Sequence, residues 1–104
     1  MALIARWQID ARFGHKQKVI EMLQKWNSEI GSQLGVGAEK SRIVTGSIGA
    51  AEATIEQEWQ VPDLAELERA WAKLGSLAAH AQWGRELEPY VVSGSSRWTI
   101  YRVI

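Results

Sequence analysis

Apolar and polar residues alternate along residues 2–10, "ALIARWQID", with Leu3, Ala5, Trp7 and Ile9 on one side and Ile4, Arg6, Gln8 and Asp10 on the other. A period of two is that of a strand with one buried face. Beyond the turn signal at Gly14 the period changes. Val19, Met22, Leu23, Trp26 and Ile30 fall on one stripe of an amphipathic helix. "GSQLGVGAEKS" carries Gly31, Gly35 and Gly37 without a sustained period, and predicts a loop that ends the helix. "RIVTGSI", residues 42–48, predicts a second strand, with Gly46 as a bulge or a point of close backbone approach. After the short turn "GAAE" comes a third strand, "TIEQEWQ", close enough to pair with the second as an antiparallel hairpin.

In "VPDLAELERAWAKL" Asp63 is placed to cap a helix, with Glu66 three residues on as in a capping box, and Leu64, Leu67, Trp71 and Leu74 as the apolar stripe. Gly75 and Ser76 interrupt the pattern. "LAAHAQWGRELEPY" resumes it as a separate helical segment, with Pro89 where that segment finishes. "SGSS" is a turn, and "RWTIYRVI" predicts the fourth strand. This order predicts an α+β fold of the ferredoxin-like, split β-α-β kind: a four-stranded antiparallel sheet with its helices on one face. The helix side collects Leu3, Ala5, Trp7, Ile9, Ala53, Ile55, Trp59, Trp98, Ile100 and Ile104. The uncovered face shows Arg6, Gln8, Thr54, Glu56, Glu58, Arg97, Thr99 and Tyr101, with Ile4, Val44, Ile48 and Val103 among them.

The 104 residues suit one domain spanning 1–104. Such a domain buries only about two thirds of the surface its unfolded chain exposes, so a second chain would add to its core. Twelve Lys and Arg balance twelve Asp and Glu, which argues against nucleic acid or an anionic membrane as partner. There is no cysteine for a disulfide, a thiolate nucleophile or a Cys-type zinc site. The start at Met1 shows neither a signal peptide nor a membrane span, so a soluble cytoplasmic protein is expected. Six Trp are many for this length. Trp26 and Trp71 fall on helix stripes, and Trp7, Trp59 and Trp98 on the helix side of the sheet, all as core. Trp83 is placed to line a pocket mouth between the last helix and the sheet.

Three readings compete for the uncovered face. It is a solvated surface with Arg6 or Arg97 pairing with Glu56 or Glu58; or it packs against a second copy in a closed dimer, which would use Ile4, Val44, Ile48 and Val103; or the enclosed interior is a ligand pocket. Glu56 and Glu58 lie about 7 Å apart along one face by the strand rise, a spacing that suits an acid and a base flanking a substrate. If the face is enclosed, like-charge repulsion raises one of the two pKa values unless an arginine neutralises it. His15, at a helix start where positive charge is disfavoured, reads as a surface residue. His80 shares a helix face with Trp83 and reads either as a structural histidine or as a proton carrier at a pocket edge. No pair of histidines has metal-ligand spacing, and no phosphate loop or nucleophile triad stands out.

The hairpin "TGSIGAAEATIEQEW", the capped helix "VPDLAELERAWAKL", the segment "AQWGRELEPYV" and the last strand "SSRWTIYRVI" together resemble the dimeric α/β-barrel superfamily, and its NIPSNAP-like branch most. The resemblance spans the whole chain in element order. It implies a homodimer whose sheets face each other, with a cavity between sheet and helices in each subunit. The superfamily includes antibiotic-biosynthesis monooxygenases, haem-degrading enzymes, muconolactone isomerases and stress-responsive proteins, so the fold alone does not name a chemistry. His80 is a positional candidate for a haem ligand and no more, and neither a cofactor nor a metal is expected. The expected function is that of a small-molecule-binding, cofactor-independent, enzyme-like protein. Its catalytic candidates are Glu56 or Glu58 as base, Arg6 to orient an anionic or carbonyl substrate, and Tyr101 or His80 as proton donor, with Trp83, Gln8 and Thr99 lining the pocket. The alternative is a non-catalytic stress or interaction protein whose polar sheet face only specifies the homodimer.

Overall fold

A computed structural model describes residues 2–34 and 41–104. Gly35 and Gly37 of the expected loop lie outside the described residues. The elements are β1 (Leu3–Asp10), α1 (Lys16–Glu29), β2 (Ser41–Thr45), β3 (Thr54–Val61), α2 (Leu64–Ser76), α3 (Ala78–Leu87) and β4 (Arg97–Arg102). Short 3-10 turns at Gly31–Leu34 and Glu88–Tyr90 follow α1 and α3. The sheet order is β2-β3-β1-β4 and every neighbouring pair is antiparallel. Because β1 and β2 both run antiparallel to β3, which lies between them, they are parallel to each other. With α1 as crossover they form the split β-α-β unit.

Register decides which residues share a face. Ala5 stands opposite Trp59, Trp7 opposite Gln57 and Ile9 opposite Ile55, all on the helix side. There they pack with Val19, Met22, Leu23 and Trp26 of α1 and Leu67, Ala70 and Leu74 of α2. The intervening residues place Arg6 opposite Glu58 and Gln8 opposite Glu56 on the uncovered face. At the head of α2 the Asp63 side chain accepts from the Glu66 N–H at 2.8 Å, as capping chemistry requires. The return half of the capping box does not form, because the Glu66 carboxylate takes Arg69 at 2.6 Å. Gly46 is the point of close approach: a Cβ there would stand 1.8 Å from the Ala51 carbonyl oxygen.

Several expectations change. The second strand stops at Thr45, leaving Ile48 97 % exposed in the hairpin loop. Ala53 precedes the first rung of the β1–β3 ladder and Ile104 follows the last strand, so both are exposed. Ala70 takes the buried place on α2, while Leu64 turns outward and Trp71 is only partly buried. The break between the last two helices falls at Leu77, in extended conformation, rather than at Gly75 and Ser76, which remain helical.

Candidate functional site

Between the sheet and its helices lies a cavity of about 320 Å³, and all six tryptophans line it. Trp7, Trp59 and Trp98 come up from three adjacent strands, because β3, β1 and β4 present alternate residues to this side. Trp26, Trp71 and Trp83 come down from α1, α2 and α3. The rings touch in sequence around the space. Trp7 lies 6.4 Å from Trp83, which lies 6.1 Å from Trp26. Trp26 stacks on Trp59 at 5.7 Å and 13°. Trp59 reaches Trp98 at 5.2 Å, and Trp98 meets Trp71 edge-on at 5.3 Å. Trp26 and Trp59 are buried floor, whereas Trp71 and Trp98, 36 % and 37 % exposed, stand at the mouth. Trp26 and Trp59 are core, as expected, and at the same time wall the cavity, whereas Trp7, Trp71 and Trp98 line it while only partly buried. On α3 the lining includes Gly84, which is exposed and has nothing within 4 Å of where its Cβ would be.

Three indole N–H groups are spent on the protein itself. Trp7 donates to Ser96 Oγ at 2.8 Å, Trp83 to the Met22 carbonyl at 2.9 Å and Trp26 to His80 Nδ1 at 3.0 Å. These bonds fix the orientation of the three rings. His80 also stacks on Trp83, centroids 6.0 Å apart at 19°. Burial holds the His80 pKa below the usual histidine value, so its ring is neutral at pH 7. Gln57, hidden on this side between Ile55 and Trp59, is anchored by donating to Asn27 Oδ1. The lining contains no Lys, Arg, Asp or Glu.

The opposite face holds the other candidates. Arg42, Glu58 and Arg6 are directly opposed across β2, β3 and β1. Both arginines bind the same carboxylate: Arg6 at Oε1, and Arg42 at Oε2 through Nε at 2.6 Å. Glu58 is only 6 % exposed although no layer covers the sheet here. Burial alone would push its pKa up, but the hydrogen bonds and charges of Arg42 and Arg6 outweigh that and hold it below the usual carboxylate value. A carboxylate so held is a counter-ion and a poor base. The Arg6 guanidinium lies over the Tyr101 ring at 5.0 Å, and Arg97 donates to Gln8 Oε1 at 3.3 Å. Thr99 sits beside Arg6 on β4, and Glu56 beside Gln8 on β3.

The structure does not bring the candidate catalytic residues together. His80 and Trp83 line the helix-side cavity, whereas Glu56, Glu58, Arg6, Tyr101, Gln8 and Thr99 lie beyond the sheet. The physical reason is that α3, which carries His80 and Trp83, packs on the helix side, whereas strand alternation sends these six residues together to the other face. His15 is exposed and packs against Tyr90 at 5.4 Å. The sequence reading left out Arg42 and Gln57, although the same alternation locates both, two residues from Val44 and from Ile55. Among the described residues no group of three or more His, Asp or Glu could hold a metal ion, and no helix is long and apolar enough to cross a membrane.

No protein-family profile matches the chain, and no curated protein matches it either. Solved structures do. A NIPSNAP family protein from Agrobacterium tumefaciens superposes with a TM-score of 0.81 at 15 % identity, over 100 % of this chain and 94 % of that one. A dimeric protein of unknown function and ferredoxin-like fold from Bacteroides fragilis gives 0.67 at 11 % identity, covering 98 % and 96 %. The cofactor-independent oxygenase SnoaB from Streptomyces nogalater gives 0.69 at 9 % identity, covering 98 % and 92 %. At such identities the likeness shows the fold, and chemistry must come from the site.

Proposed function

We propose that this chain, whose α+β ferredoxin-like fold is that of the NIPSNAP-like, dimeric α/β-barrel proteins, binds a flat, largely apolar small molecule in the tryptophan cavity. The observation that carries this is the convergence of all six tryptophans, from six different elements, on one space. Interiors normally close to crystal-like density, and aromatic side chains gain by filling such a gap. A cavity of about 320 Å³ walled by indoles lies at the lower end of the ligand-pocket range, and its stacked rings suit a planar partner. Catalysis by the lining residues themselves would rely on positioning and hydrogen bonding, because they offer a neutral imidazole and no carboxylate. That an oxygenase described as cofactor-independent shares the fold is in keeping with this reading.

The test uses fluorene as probe and tryptophan fluorescence as signal. Gly84→Leu adds a side chain where there is open space, on a lining position of a helix that tolerates leucine better than glycine, so the variant should fold and narrow the cavity. Saturable quenching by fluorene in the wild type and its loss in folded Gly84→Leu are the expected results. Quenching that persists in Gly84→Leu, or is absent from the wild type, would overturn the assignment.

The uncovered face has its own role in this proposal, as the contact with a second copy. Ile4 and Val44 put apolar atoms among the charges, Tyr101 and Val103 are about half exposed, and the Bacteroides fragilis neighbour is described as dimeric. Val44→Asp should halve the mass measured by light scattering at low micromolar concentration. An unchanged mass, or a wild-type monomer, would show that the face is wet or contacts something else.

A further inference from the structure

Among the hydrogen-bond donors of the cavity lining, the imidazole of His80 has its tautomer set by a neighbour and one N–H without a protein partner. An indole nitrogen can only donate, so the bond from Trp26 Nε1 to His80 Nδ1 requires a lone pair on Nδ1. That bond sets the tautomer: in a neutral imidazole with Nδ1 accepting, the hydrogen is on Nε2. Stacking on Trp83 at 19° fixes the plane of the ring as well. His80 lines the cavity, and among the described residues the one hydrogen bond of its side chain is that to Trp26, which leaves the Nε2 hydrogen without a protein partner. A donor without a protein partner, beside walls that are mostly indole, gains from an acceptor brought in by the ligand.

The same lining sets the charge of that ligand. None of the twelve residues around the cavity is Lys, Arg, Asp or Glu, so a carboxylate or an amine would be desolvated there without a counter-ion. We infer that the cavity takes an uncharged planar molecule carrying a hydrogen-bond-accepting oxygen, a ring carbonyl being the simplest case, and that His80 Nε2–H is the group that recognises this oxygen. The inference rests on the cavity being a ligand site and adds the polar half of its specificity. Burial disfavours the imidazolium and so preserves this arrangement.

Fluorene and 9-fluorenone share a tricyclic frame and differ by the carbonyl, so their affinity ratio isolates the proposed bond. One net hydrogen bond should favour 9-fluorenone by roughly tenfold in the wild type. His80→Phe keeps a ring to stack on Trp83 but has no N–H, and the ratio should fall to about one. His80→Gln restores an N–H donor and should recover part of it. A purely structural role for His80 would weaken both probes together and leave the ratio intact. A second readout needs no variant: the His80 Nε2 proton in a 1H–15N spectrum should move downfield with 9-fluorenone and not with fluorene. Equal affinities in the wild type, a preference that survives in His80→Phe, or an Nε2 proton indifferent to the carbonyl would each overturn the assignment of His80, while fluorene binding left the cavity reading standing. If neither compound binds, both readings fall.

Discussion

Replacing Glu58 by glutamine tests whether the uncovered face is held by charge. In the native chain one carboxylate, 8 % exposed at its side chain, accepts from two arginines directly opposite it on β1 and β2. Hydrogen bonds to charged groups contribute about 1.5–3 kcal/mol each, against about 1 kcal/mol for neutral ones. Arg42 is 71 % exposed, so its share is discounted for solvent, whereas Arg6 is half-buried and counts more fully. Glutamine keeps the shape, but of its two polar ends only one can accept, so the other turns an N–H towards an arginine. The expected loss is about 1–2 kcal/mol, or roughly 5–10 °C in Tm for a domain of this size. The loss should also depend on pH. The Glu58 pKa is depressed in the fold, so its contribution is fully present above the unfolded carboxylate pKa of about 4.3 and disappears as pH falls through the lower folded value. Urea unfolding of wild type and Glu58→Gln at equal protein concentration should therefore differ most at neutral pH and converge in acid. A difference that is absent at neutral pH, or that persists undiminished in strong acid, would refute the account of this face.

Three further changes probe the scaffold. Gly46→Ala places a methyl group into the Ala51 carbonyl and should cost at least about 2–3 kcal/mol in chemical denaturation; a near-neutral result would mean that the hairpin does not fold back as described. Gly75→Ala meets open space within α2 and should stabilise by about 0.5–1 kcal/mol, read as a raised Tm, whereas a loss would show that Gly75 is not ordinary helix. Asp63→Ala removes the acceptor of the Glu66 N–H and should lower stability by about 1 kcal/mol, with Asp63→Asn recovering most of it.

Much of the fold was legible because it is written in short periods. The alternation of Leu3, Ala5, Trp7 and Ile9 against Ile4, Arg6, Gln8 and Asp10 is strict, and a slip of one residue would expose the whole apolar set, so strand and face follow together. Asp63 marked the start of α2 by its capping chemistry alone. The misplacements fall where the ladder gives out: Ile48, Ala53 and Ile104 continue the apolar pattern in residues that pair with no strand. Trp71 differs for another reason: Ala70 takes the buried place on α2, and Trp71 stands partly exposed at the cavity mouth against Trp98.

The site was legible only in part. Its components were visible, for the tryptophans and the pairing of His80 with Trp83 can be read from spacing. Periodicity gives the side on which a residue lies, not whether the space there is filled, so a wall of indoles and a core of indoles look alike in the sequence. The charged candidates were drawn to one site by their chemistry, while the pleat sends Glu56 and Glu58 to one face and Gln57 to the other. That Glu58 is neutralised from both sides follows from β2 register, and Arg42 sits at the edge strand whose alternation is shortest.

A crystal structure of the protein with 9-fluorenone bound is the most direct measurement. The expected result is planar density on the helix side of the sheet, enclosed by the six tryptophans, with the carbonyl oxygen within hydrogen-bond distance of His80 Nε2. Density on the far side of the sheet beside Glu56 and Tyr101, or indoles collapsed to fill the cavity with no ligand, would contradict it.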